Sequence, residues 1–275
     1  MEDQWEALLA RRAQIAARLA AAPIAIIEGI VDANGVAAVK IGDEQQWTLQ
    51  STLEVWRVVG GSWQDSRLQL RRQVSDDEVG RYRQVMRPLG QLRADVRLRV
   101  DANPAEPEAL LETLPLAIDD PDLAERGSQL QLPVTYEDKL FGTCRFNKRV
   151  NWFETNAHWN GTEVLVYLEA ATLDTLPSVL KHAHDLWADA VAWGSRIYDR
   201  AVADLLELKN ATWLDEDEDA VSVDGFKRKL SLQSLGIDEH GAFDFCFADG
   251  DMFFGHSIMV EGSLHQGATK AYIAG

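Results

Sequence analysis

Alternation of apolar and polar positions runs through most of this chain and gives way twice to a helical period. Residues 4–22 place Trp5, Leu8, Leu9, Ile15 and Leu19 at helical spacing, and Pro23 ends the helix so predicted. Period two follows. Ile24 to Val31 and Val36 to Ile41 read as strands around Asn34-Gly35, a strong hairpin signal. Trp47 to Val59, Arg67 to Val74 and Val96 to Val100 alternate in the same way. Ser75-Asp76-Asp77-Glu78 is a capping box that predicts a short helix ending at Pro88. Glu106 to Leu114 reads as another short helix, entered through Pro104 and Pro107. These elements predict a small, barrel-like, β-rich domain over 1–114. Pro115, Asp119-Asp120-Pro121, Gly127-Ser128 and Pro133 break every period, which predicts a linker over 115–132.

The second domain is expected over 133–275. Lys139 to Phe146, Val150 to Thr155 and Glu163 to Leu168 read as strands, with Trp159-Asn160-Gly161 as a turn. From Thr175 the apolar positions Leu176, Leu180, Ala183, Trp187, Val191, Gly194, Ile197, Ala201, Leu205 and Leu208 recur every three or four residues. They predict one continuous helix of roughly 50 Å. Four further strands follow: Phe226 to Ile237, Ala242 to Phe247, Gly255 to Glu261 and Ala268 to Ile273. Strands, a long helix and more strands make an α+β domain, an antiparallel sheet packed by one long helix.

Composition narrows the function classes. The 275 residues carry 27 basic and 44 acidic side chains, a net charge of −17. Residues 1–132 hold 15 basic and 21 acidic groups, and residues 133–275 hold 12 and 23. Such a balance argues against a nucleic-acid partner, which needs a basic face, and favours a basic protein partner. No apolar run is long enough to cross a membrane. The acidic N-terminus lacks the basic region of a signal peptide, and Cys144 and Cys246 read as free thiols, so a cytoplasmic location is expected.

Candidate chemistry gathers in the last hairpin, around Asp244, Asp249, Asp251, His256 and Glu261. Asp249, Asp251 and His256 are residue types that hold a divalent metal, the one cofactor this sequence suggests, with Glu261 nearby. The competing reading is structural, with Asp249 and Asp251 bonding turn backbone and His256 packing on an aromatic strand. His182 and His184 lie two apart on the long helix and face different ways, unlike a zinc pair. No nucleophile elbow or phosphate-binding glycine loop occurs, so the chain reads as a binding protein rather than an enzyme. The acidic run Asp215, Glu216, Asp217, Glu218 and Asp219 is the candidate docking surface for a basic partner.

Certain motifs resemble a known bacterial family, domain of unknown function 2262. They are Phe141-Gly142, Trp159-Asn160-Gly161, Asn210-x-x-Trp213, and above all Asp249-Gly250-Asp251-Met252-Phe253-Phe254-Gly255-His256-Ser257-Ile258 with Gly267. The resemblance covers about residues 133–275. It implies an α+β domain of bacterial origin with no established activity, and, by the company such small domains keep, an immunity-type protein that blocks a toxin. A metal-dependent enzyme and a structural subunit are the alternatives.

Overall fold

The structure is a computed structural model that describes residues 10, 13–42, 44–64, 66–99, 107–214 and 218–275. It divides into two compact units, Met1–Leu132 and Pro133–Gly275. Residues 4–9, 11 and 12 of the first expected helix lie outside the described residues; residues 13–20 form α1.

The first unit is a closed five-stranded barrel. Its strands are β1 (Ile24–Val39), β2 (Trp47–Val58), β3 (Leu68–Val74), β4 (Gln91–Arg99) and β5 (Glu108–Leu111). They run in the order β1-β2-β3-β5-β4, and β1 closes onto β4. Among the described residues of this unit, only β3 and β5 pair in parallel. Helix α2 (Asp76–Val85) joins β3 to β4, and Glu78 accepts from both the backbone N–H and the hydroxyl of Ser75, as the capping box required. The interior packs Ile27, Val31, Leu53, Trp56, Leu68, Val96 and Ala109. Outside, Glu28 stands in register between Arg57 and Arg93 on the two flanking strands. Both guanidiniums bond its buried carboxyl, Arg93 most strongly, and hold it below the usual carboxylate range.

Three expectations in this unit were wrong, each for a local reason. Asn34-Gly35 is not a hairpin turn. The chain passes through it as an irregularity within β1, because residues on both sides pair with the same strand, Val31 with Leu53 and Val36 with Ser51. Asp32 Oδ1 accepts from Asn34 N and Gly35 N, and Gly35 takes φ +72°, so the signal for a turn was spent on a bulge that curves the barrel. The helix expected over Glu106–Leu114 is strand β5, whose pairing with both β3 and β4 overrides the helix propensity of Ala-Leu-Leu. Residues 115–132 are not a linker. They form β6 (Leu116–Ala117) and α3 (Pro121–Gln131), with Leu123 and Gly127 buried. Asp119-Asp120-Pro121 reads as loop punctuation, yet Asp120 caps Leu123 N at 3.0 Å and Pro121 occupies the first turn, where its missing N–H costs nothing.

The second unit is an eight-stranded sheet in sequential order. Its strands are β7 (Thr135–Asp138), β8 (Gly142–Asn147), β9 (Trp152–Trp159), β10 (Thr162–Glu169), β11 (Ser231–Asp238), β12 (Ala242–Ala248), β13 (Ser257–Ser263) and β14 (Gly267–Ala274). Every neighbouring pair is antiparallel except β10 with β11. That parallel pair requires a long crossover, supplied by α4 (Leu176–Ala188), α5 (Ala190–Thr212) and α6 (Val223–Lys229). The fold class is α+β as expected, with α5 the long helix.

The helical period does continue from 176 to 212, but the helix breaks at Asp189, which sits at φ −130°, ψ 42°. The β9–β10 turn is wedged there. Asn160 Nδ2 donates to Ala190 O at 2.9 Å, and Trp187 Nε1 donates to His158 O at 3.0 Å. Gly194 makes room, since a Cβ on it would stand 2.7 Å from Asn160 Nδ2. The helices lie on the sheet face that carries Phe243, Phe245 and Phe247. Trp193 meets Phe243 edge-on, Tyr198 meets Phe247, and Trp159 lies between Trp187 and Phe245. At the sheet's edge, Asp204 of α5 accepts the Ala271 N–H of β14 at 2.7 Å.

These contacts set opposite outcomes for two helical glycines. Gly194→Ala must push Asn160 off Ala190 and is expected to destabilise the second unit by about 1–3 kcal/mol. Gly80 of α2 has nothing within 4 Å of its missing Cβ. Gly80→Ala is expected to stabilise the first unit by about 0.5–1 kcal/mol, and denaturant midpoints of the two variants check both signs.

Candidate functional site

The last hairpin does not bring its polar residues together. Asp249 is buried, and its carboxylate serves the backbone: Oδ1 accepts Asp251 N at 3.1 Å, and Oδ2 accepts Phe253 N at 2.6 Å and Gly255 N at 3.1 Å. The tight turn expected at Asp249-Gly250 is therefore an eight-residue loop wound around one carboxylate. Asp251 is exposed at φ 64°, and His256 lies edge-on to Trp213 with ring centroids 6.0 Å apart. Among the described residues no three His, Cys, Asp or Glu side chains are placed to hold a metal ion.

The neighbouring Asn210-x-x-Trp213 segment completes the same knot. Asn210 clips the loop that follows α5, donating to Val221 O at 3.0 Å and accepting from Val221 N at 2.8 Å. Trp213 packs on Phe253 and Phe254. Buried Lys209 donates to Trp213 O at 2.6 Å and pairs with Glu218, which Lys229 also approaches at 3.7 Å. Of the acidic run, then, Glu218 is held inward by two lysines, Asp219 is exposed, and Asp215, Glu216 and Asp217 lie outside the described residues.

A different cluster forms on the sheet face turned away from the helices. Strand alternation puts Asp244 on that face, opposite its phenylalanine neighbours. Register aligns Tyr167, Gly236, Asp244, Glu261 and Lys270 in one row across five strands. Gly236 leaves a gap in the row, and two carboxylates lean over it. A Cβ there would meet Asp244 Oδ1 at 2.4 Å and Glu169 Oε1 at 3.3 Å. The surrounding acids have donors: Tyr272 gives its hydroxyl to Glu261 at 2.6 Å, and Trp152 Nε1 and Asn147 Nδ2 both reach Glu154. Among the described residues, none donates to Asp244 or Glu169. Trp152 and Tyr167 pack together beside the gap with centroids 5.0 Å apart, and Lys270 stands over the Tyr272 ring.

The electrostatics follow from this crowding. Partial burial, then Glu261, raises Asp244; partial burial, then Asp244 and Asp238, raises Glu169. The hydrogen bond to Glu261 pushes Tyr272 up to about 12. Two adjacent carboxylates without a donor destabilise the fold at neutral pH, and retained groups of that kind concentrate where ligands bind. The arrangement is suited to receiving a cation. Sequence reasoning named Asp244 and Glu261 among the polar residues of the last hairpin but missed Glu169, which meets Asp244 only through the sheet register.

Residues 138–273 match a family described as an uncharacterized protein conserved in bacteria, DUF2262. The C-terminal domain belongs to that family. No curated protein matches the sequence. Within this DUF2262 domain the motifs that carried the resemblance are now placed. Trp159-Asn160-Gly161 wedges the helix break, while Asn210, Trp213 and the 249–256 loop tie the end of α5 to the sheet. They hold the fold together and lie apart from the acidic pair.

Removing the loop's central acceptor strands three amides, so Asp249→Ala is expected to cost about 2–4 kcal/mol, read from the denaturant midpoint. Asp251→Asn, at an exposed position, is expected to stay within about 0.5 kcal/mol of the parent. Asp244→Asn should stabilise the domain at neutral pH by roughly 0.5–2 kcal/mol. The native Asp244 pKa is raised, so the parent gains stability as pH falls through it towards the ordinary value of 3.8. The advantage of the Asn variant must therefore shrink over that same fall in pH, as parallel denaturation series at neutral and acidic pH would show.

Proposed function

We propose that this chain is a non-enzymatic binding protein of the cytoplasm, and that the helix-free face of its DUF2262 domain receives a basic segment of a protein partner, as an immunity- or antitoxin-like protein would. The observation that carries this reading is the pair of donor-free carboxylates, Asp244 and Glu169, leaning over Gly236. A lysine or arginine brought by a partner would supply the missing donors, and Trp152 and Tyr167 offer aromatic surface beside it. The domain's excess of acidic over basic groups, 23 against 12, favours the approach of such a partner. The remaining acids of the expected docking run, including exposed Asp219, would add long-range attraction. No described helix is long and apolar enough to cross a membrane, and the proposal requires no membrane.

Calorimetric titration of the full chain with an Arg-Ser repeat peptide tests the reading, with a Glu-Ser repeat as the charge-reversed control. The basic peptide should bind and weaken with added salt, and the acidic one should not bind. Asp244→Asn with Glu169→Gln should weaken binding by about tenfold or more, whereas Asp219→Asn should change it less than about threefold. Equal affinity for the parent and the double variant would remove this face from the proposal.

A further inference from the structure

The helix-free face of the DUF2262 domain carries a second row of residues beside the acidic one. Leu165 of β10, Ser234 of β11, Cys246 of β12, Met259 of β13 and Tyr272 of β14 stand in register across the sheet. On every strand this row lies two residues from the row of Tyr167, Gly236, Asp244, Glu261 and Lys270. Pleating therefore puts both rows on the same face, about 7 Å apart. All five members of the second row are half-buried. Leu165, Cys246 and Met259 make it apolar, and the Tyr272 hydroxyl at its end is already given to Glu261. Apolar surface thus runs alongside the two carboxylates, Asp244 and Glu169, that no described residue supplies with a donor. A partner that matches both rows is apolar along one stripe and basic along the next.

The strands also set the conformation of that partner. Each of β10, β11, β12 and β13 has a neighbour on both sides, so their backbone N–H and C=O groups are committed to the sheet. A chain laid on this face meets side chains but no free backbone, and its own peptide groups must be satisfied within itself. The α-helix meets that condition, since its hydrogen bonds close within one segment. We infer that this face takes an amphipathic helix of the partner. Its apolar stripe rests on Leu165, Cys246 and Met259, and its basic flank lies over Asp244 and Glu169. The inference rests on the proposed function and adds to it the form of the segment and the second row that holds it.

The probe is a peptide of about 14 residues, too short to be a stable helix alone, with leucines at helical spacing, arginines along one flank and glutamines elsewhere. A scrambled peptide of the same composition is the control. Calorimetry with the full chain should show the ordered peptide binding about tenfold or more tighter than the scrambled one. Circular dichroism of the mixture should exceed the sum of its parts by the signal of a newly formed helix. Leu165→Gln with Met259→Gln should weaken the ordered peptide by about tenfold and leave the Arg-Ser repeat unchanged, because that repeat has no apolar side chain to lose; the thermal midpoint verifies that the variant folds. Equal affinity for the two peptides on the parent chain, no gain of helical signal, or undiminished binding by the folded double variant would overturn the helix, while binding of the Arg-Ser repeat would keep the basic-segment reading. If neither the ordered peptide nor the Arg-Ser repeat binds, both fall.

Discussion

Burial of the Phe243–Phe245–Phe247 ladder beneath α4 and α5 is the constraint on which the C-terminal domain depends. Once those rings face the helices, pleating sends Asp244 and Cys246 to the other face. The pairing of β12 with β11 and β13 then places Asp244 beside Gly236 and Glu261. Slipping the register by one residue would bury an acid under Trp193 and expose a phenylalanine. The hydrophobic core thus fixes the address of the acidic pair without touching it.

Two kinds of polar residue separate in this domain. Asp249, Asn210, Asn160 and Lys209 each bond backbone within the chain, so their polarity is used up in joining segments. Asp244 and Glu169 join nothing. A carboxylate that accepts three amides gains stability from its charge, while two carboxylates without donors lose it. The proposed function rests on the second kind, although the first kind made the more conspicuous motif.

Much of the architecture was legible in the sequence. Period-two alternation located β2, β3, β12, β13 and β14, the capping box located α2, and the helical stripe located α4 and α5. The failures share one cause: local chemistry compatible with two outcomes, decided by a distant strand or turn. Asn34-Gly35 serves a bulge because β2 runs past both sides of it. Glu108–Leu111 becomes a strand because β3 and β4 leave a slot to be closed. Asp189 ends a helix because Asn160, thirty residues upstream of Ala190, bonds its next carbonyl. Asp120-Pro121 could have been read correctly, since an acid before proline is also a helix start. The acidic pair was beyond reach, as Glu169 and Asp244 lie 75 positions apart and meet only across the intervening strand.

The Asp204–Ala271 hydrogen bond has a bearing on how anything can attach to this sheet. An outermost strand normally offers a free row of amides and carbonyls as a template for another chain. Here a helix reaches over and occupies one of those amides in the middle of β14, and the opposite margin, β7, is only four residues long. Growth of the sheet by strand addition is discouraged at both ends, which protects the domain from stacking into filaments of itself. A visiting chain is left with the broad side of the sheet as its landing ground.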